Sequence, residues 1–217
     1  VAVPIGNVED WSPRAIRTLK ECDLIIAEDT RVALRRLSVA GIKKSVERYD
    51  HHSHDRVISR ILVRLNDGEN IAFVSDAGTP GVEDPGGRLV EAVNFGAPEV
   101  KIIPIPGPSS VMTALSISGF PAECFSVHGF PPKKKGREKY FDTISCAEET
   151  VVFYESTHRI QKTVDALASR IPERRAVLAR ELTKTHETIM RGTLADLSER
   201  LQTTVQKGEF VIVLSPI

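Results

Sequence analysis

The stretch FVSDAGTPG, residues 73–81, decides how the chain is read. Phe73 and Val74 carry an apolar run into Ser75 and Asp76. Gly78, Thr79, Pro80 and Gly81 then exclude any regular continuation. A buried strand ending in a carboxylate and a glycine-proline loop is expected where an open α/β sheet meets a ligand, beyond the carboxyl ends of its strands. A plain turn would explain any one such loop. Six fall at successive strand ends: PIGN (4–7), AEDTR (27–31), SDAGTP (75–80), PGPSS (106–110), FYESTHR (153–159) and ARELTK (179–184). Together they would line a small-molecule cleft with backbone groups and a few carboxylates.

The elements between the loops alternate. VAVP reads as a strand stub, and Ser12 with Pro13 as the cap and first position of a helix. DLIIAEDT and NIAFVSD read as buried strands, and VKIIPIPG as another. Val57, Ile58, Ile61, Leu62 and Leu65 mark one helical face that Gly68 closes. This βαβα rhythm suits a mostly parallel sheet covered on both faces. Beyond residue 108 the pattern predicts a small-residue helix at SSVMTALSISG, strands at CFSVHGF and TVVFYES, and a helix on Ile160, Val164, Leu167 and Ile171. RAVLARE and HETIMRG are set to pair as strands. Thr193 and Asp196 form a capping box, and EFVIVLSP is the last strand. Two α/β domains are expected, residues 1–107 and 108–217.

The chain of 217 residues carries 29 basic and 29 acidic side chains, so no global field draws it to nucleic acid or membrane, and a polyanion must be held by a local patch. Cys22, Cys124 and Cys146 form no C-x-x-C pair and fit a reducing, cytoplasmic setting. No run approaches a membrane span, and no signal-peptide pattern opens the chain. It begins at Val1 inside what reads as a strand, so an earlier natural start is expected. Dinucleotide-binding and P-loop glycine motifs are absent, as is a hydrolase Gly-x-Ser-x-Gly elbow. His51, His52 and His54 lack partners for a four-ligand set; they read as polar contacts or a solvated turn, and no metal is expected.

The six motifs, in this order and spacing, resemble the ribosomal RNA small subunit methyltransferase I family of the tetrapyrrole methylase superfamily. The resemblance covers nearly the whole chain. It implies a class III methyltransferase of two α/β domains, S-adenosyl-methionine in the cleft between them, and a homodimer. The implied reaction is methylation of the ribose 2′-hydroxyl of a cytidine in 16S ribosomal RNA. Two departures stand out: the family's His-x-His-Asn element meets His52-Ser53-His54-Asp55 here, and family members often continue into a small helical C-terminal extension, whereas this sequence ends at Ser215-Pro216-Ile217.

Carried over residue by residue, the resemblance places Pro4, Ile5 and Gly6, then Asp76, Ala77 and Gly78, along the cofactor. Ser109 and Ser110 match a further cofactor position. Tyr154, Glu155 and Leu182 match positions that hold the adenosine. The reaction needs alignment of sulfur, methyl and oxygen and acceptance of a proton. Glu28, Asp29 and Arg31 at one strand end, and Glu181 and Lys184 at another, are the catalytic candidates, with a carboxylate or a desolvated Lys184 as base. Lys133, Lys134, Lys135 and Arg137 fit phosphate binding, as do Arg159 and Arg180; such contacts position RNA without reading its sequence. Two other readings stay open: carbon methylation of a tetrapyrrole, and a non-catalytic RNA-binding module.

Overall fold

The computed structural model describes residues 1–50, 54–204 and 207–217, so His51 and His52 lie outside the described residues. Two compact units, Val1–Ser109 and Ser110–Ile217, divide the chain. In unit 1, helix α1 (Pro13–Glu21) starts with the Ser12 hydroxyl accepting the Ala15 amide at 3.0 Å. Strand β1 (Leu24–Ala27), helix α2 (Thr30–Val39), strand β2 (Val46–Arg48), helix α3 (His54–Asn66), strand β3 (Ile71–Val74) and helix α4 (Gly86–Gly96) follow.

The strands form a parallel sheet in the order β2-β1-β3, with β1 fully buried at its centre. Ile25 and Ala27 pack with Leu19, Ala33 and Leu37 of α1 and α2. Leu24 and Ile26 point the other way, against Ile61, Leu89 and Val93 of α3 and α4. Strand side chains alternate between faces, so a strand covered on both must be apolar throughout.

Two expectations fail here. VKIIPIPG is not a regular strand: Ile105 accepts the Ala2 amide at 3.0 Å, but Pro104 and Pro106 have no N–H to continue a ladder. VAVP shrinks to a single bridge between Val3 and Gly78. The short β2 escapes sequence reading because two of its three residues are the charged Glu47 and Arg48, as an edge strand tolerates.

Unit 2 carries helix α5 (Ser110–Ser116), strand β4 (Phe125–Val127), helix α6 (Arg137–Ser145), strand β5 (Thr150–Ser156), helix α7 (Ile160–Ala168), strands β6 (Arg175–Arg180) and β7 (Thr188–Thr193), helix α8 (Leu194–Gln202) and strand β8 (Glu209–Leu214). The sheet order is β4-β5-β8-β6-β7; β4 and β5 are parallel, and the other pairs are antiparallel. The β6–β7 pairing and the Thr193–Asp196 capping box match the sequence reading. Phe141, Phe153, Ile160, Leu167, Leu178 and Ile212 are among the fully buried side chains between the sheet and α6–α8.

Arg174, 8% exposed, staples the base of this unit. Its guanidinium donates to the carbonyls of Ser215 (2.7 Å), Ile144 (2.9 Å), Ser145 (3.2 Å), Ala147 (2.9 Å) and Glu149 (3.3 Å). Arg174→Met keeps the apolar stem but strands several buried acceptors, so denaturant unfolding should show a loss of about 2–4 kcal/mol. Arg174→Lys should recover only part, because an ammonium has three donors and no planar fork.

Candidate functional site

From the central strand β1 the chain passes to α2 on one face, whereas β3 leads to α4 on the other. The two connections therefore diverge, and a crevice opens at the carboxyl ends of β1 and β3, where doubly wound sheets bind ligands. A cavity of about 550 Å³ lies there. Glu28, Asp29, Thr30 and Arg31 line it after β1, Arg48 at the end of β2 with Asp50 beyond it, and Asp76 after β3. Four carboxylates thus face two guanidinium groups, an excess that suits a cationic ligand.

Asp76 joins the two loops by accepting the Asp29 amide at 3.2 Å. Asp29 in turn caps α2, accepting the amides of Arg31 (2.8 Å) and Val32 (3.4 Å), and it pairs with the Arg31 guanidinium at 2.7 and 3.1 Å. The hydrogen bond from Arg31, followed by the backbone amides, holds the Asp29 carboxyl well below the usual carboxylate range. Arg48 bonds the buried Asp50 at 2.6 Å. Sequence reasoning missed both, since Arg48 ends and Asp50 follows the one strand it did not see.

The loop after β3 takes its shape from Gly78. At φ 76°, Gly78 exchanges amide–carbonyl hydrogen bonds with Val3 at 3.0 and 3.1 Å. A Cβ there would stand 3.1 Å from Ile5 Cγ2 and 3.3 Å from the Pro108 carbonyl. The Thr79 hydroxyl donates to that carbonyl at 2.9 Å, and Arg36 donates to the Pro4 carbonyl. Three segments expected at the cofactor, Pro4–Gly6, Asp76–Gly78 and the turn reaching Ser109, therefore abut because residue 78 has no side chain.

In unit 2, β4, β5 and β6 run in one direction and end on one edge of the sheet. Ser110 and Tyr154, both expected at the cofactor, lie there with hydroxyls 3.2 Å apart, and Leu182 is buried nearby in sequence to β6. Glu155 is fully buried. Its carboxylate accepts from Thr163 Oγ1 (2.6 Å), the Ser156 amide (2.7 Å) and Arg159 (2.8 Å), with Arg137 at 3.8 Å. Arg137 and Arg159, expected on RNA phosphates, instead turn inward to this carboxylate. Arg180 does likewise: only 9% exposed, it donates to the Lys207 carbonyl (2.5 Å) and Thr188 (3.2 Å). Lys133, Lys134 and Lys135 are exposed, as a phosphate contact requires.

The loop after β6 holds two non-glycine residues at positive φ, Glu181 (51°) and Thr183 (63°), a conformation that persists only where surroundings enforce it. Glu181 accepts the Glu209 amide and the Lys184 ammonium, both at 2.9 Å, and Lys184 also reaches the Glu209 carboxylate at 3.3 Å. Burial opposes ionisation of Glu181, but the bond from Lys184 and the amide outweigh it, and its carboxyl titrates below its usual range. Burial likewise opposes charge on Lys184, yet Glu181 and Glu209 raise it above the ordinary lysine value. Lys184 is therefore an ammonium at neutral pH and does not present the neutral amine of a general base.

Gly78→Ala should destabilise unit 1 by about 1–2 kcal/mol, the left-handed penalty plus the contact with Ile5 and Pro108. Gly87→Ala is the control: on α4, with nothing within 4 Å of the new Cβ, it should leave thermal stability unchanged or raised. A depressed carboxyl contributes stability that is present above its unfolded value and lost as pH falls through the folded one. Wild type should therefore lose stability below about pH 4.5 more steeply than Glu181→Gln in a pH series of unfolding curves.

The sequence profile of the tetrapyrrole (corrin/porphyrin) methylases matches residues 1–198. A ribosomal RNA small subunit methyltransferase I from Xylella fastidiosa is 42% identical over 218 residues, covering 99% of this chain and 79% of that protein. A relative of the same name from Thermotoga maritima is 38% identical over 215 residues, covering 99% of this chain and 96% of that protein. Among solved structures, a diphthine synthase superposes with a TM-score of 0.72 over 98% of this chain and 87% of that one; at 13% identity it speaks for the fold alone. The profile and the identity over nearly all of this chain agree with the crevice in an α/β frame, and the chain belongs to the tetrapyrrole methylase family and, within it, to the ribosomal RNA small subunit methyltransferase I family.

Proposed function

We propose that this protein transfers a methyl group from S-adenosyl-methionine to the ribose 2′-hydroxyl of a cytidine in 16S ribosomal RNA of the small subunit, as a cytoplasmic homodimer. The observation that carries the cofactor reading is the crevice at the ends of β1 and β3, whose carboxylates outnumber its guanidinium groups. A ligand bearing a sulfonium and an ammonium fits that balance. The substrate reading rests on the relatives' name and near-complete coverage.

When bound, the cofactor supplies an electrophilic methyl group on a positively charged sulfur. The chain's part is to position and to exclude water. Asp76 complements the cofactor's charge while holding the β1 and β3 loops together. Asp29 is made strongly acidic by Arg31 and the amides of α2, so it positions rather than accepts a proton. Lys184 and Glu181 neutralise each other. Glu28 lines the same crevice, and we assign it as the carboxylate that accepts the proton of the ribose hydroxyl. The homodimer reading rests on the resemblance to the family.

Calorimetric titration of S-adenosyl-methionine into wild type should show saturable binding, weakened in Asp76→Ala by about tenfold or more, as expected for a lost charge-assisted contact. Methyl transfer to small ribosomal subunits, followed by nucleoside analysis, should yield 2′-O-methylcytidine. Absence of cofactor binding, or transfer to a base or a tetrapyrrole instead, would overturn the reading.

A further inference from the structure

The segment between β4 and α6 carries an exposed aromatic ring on an immobilised backbone. Gly129 is buried at φ 58°, and its carbonyl accepts the Tyr154 amide at 2.9 Å, prolonging the β4–β5 pairing by one step. Phe130 then projects with 44% of its surface exposed, its ring against Tyr154 at a centroid distance of 5.3 Å and an interplanar angle of 34°. The Tyr154 hydroxyl sits 3.2 Å from Ser110 Oγ, so the ring behind Phe130 is itself held.

The two residues after Phe130 are pinned from below. Arg159 donates to the Pro131 carbonyl at 2.8 Å, and Arg137 to the Pro132 carbonyl at 3.2 Å. Both guanidinium groups face the fully buried Glu155, and Arg137 also donates to Thr163 at 2.7 Å. Next come Lys133, Lys134 and Lys135, all exposed and without an ion-pair partner among the described residues. One exposed apolar side chain is unremarkable on any surface. A ring whose backbone is fixed at 129, 131 and 132, followed at once by three uncommitted lysines, combines the two parts of a single-strand nucleic-acid site: an aromatic face for a base and cations for the phosphates.

We propose that Phe130, backed by Tyr154, is the platform on which an unpaired base of the RNA substrate stacks, while Lys133, Lys134 and Lys135 hold the adjoining phosphates. The inference rests on the ribosomal RNA reading above and names the residue that places the target strand. Arg137 and Arg159 enter as positioning residues: they stiffen the platform instead of touching phosphate.

The test compares wild type with Phe130→Ala, Phe130→Leu and Phe130→Trp in methyl transfer to small ribosomal subunits, with S-adenosyl-methionine affinity and oligomeric state measured in parallel. Phe130→Ala should lower kcat/KM about tenfold or more with cofactor affinity unchanged, because a stacked base is lost. Phe130→Leu should remain impaired, since it restores apolar volume but no ring face, whereas Phe130→Trp should be active and its fluorescence quenched by a short single-stranded RNA. Replacing the three lysines with alanine should flatten the salt dependence of KM. Wild-type kinetics in Phe130→Ala, full recovery by Phe130→Leu, or a change of oligomeric state in Phe130→Ala would overturn the platform while leaving the methyltransferase reading intact. Failure of wild type to modify subunits would overturn both.

Discussion

Burial of β1 on both faces is the constraint on which unit 1 depends. Leu24, Ile25, Ile26 and Ala27 have no solvent side, so helices must cover both faces of the sheet. With β1 in the middle and β2 and β3 on either side, the connections after β1 and β3 leave in opposite directions. The crevice lined by Glu28, Asp29 and Asp76 follows from that divergence. Asp76 then closes the gap with the Asp29 amide, so the crevice and the strand order share one hydrogen bond.

Unit 2 places a charge where unit 1 places apolar side chains. Glu155 lies next to the end of a strand whose first four residues are core, and a fully buried carboxylate is tolerable only when paired and hydrogen-bonded. Thr163, Arg159 and the Ser156 amide meet that need, and Arg137 approaches. The same guanidinium groups reach outward to the carbonyls of Pro131 and Pro132. A core electrostatic requirement thus shapes a surface loop, and the loop inherits the stiffness of the core.

Charge states across both strand-end clusters follow from local partners more than from burial. Arg31 and the α2 amides keep Asp29 acidic, and Lys184 keeps Glu181 acidic while being held as an ammonium itself. Pairing these groups with one another removes them as proton acceptors at neutral pH. It also explains why two residues at positive φ, Glu181 and Thr183, are retained: the loop is held by Glu181 to the Glu209 amide and by Glu187 to the Thr183 amide.

Local chemistry was legible in the sequence wherever it acts over a few residues. The Ser12 cap, the Thr193–Asp196 capping box, the β6–β7 pair and the alternation of strand and helix in unit 1 all follow from propensity, periodicity and short-range hydrogen bonding. The family was legible as well, because six strand-end motifs keep their order. Long-range competition for partners was not. Whether Arg137, Arg159 and Arg180 face solvent or the interior depends on carboxylate and carbonyl groups far away in sequence, and a basic residue reads the same in either place. VKIIPIPG has the apolar content of a strand, yet its prolines leave it without the donors a ladder needs. The sequence by itself determined most of the elements and the family; only the tertiary structure decided which charges lie inside, because desolvation makes every buried ion find its partner and leaves the rest, Lys133 to Lys135 among them, exposed.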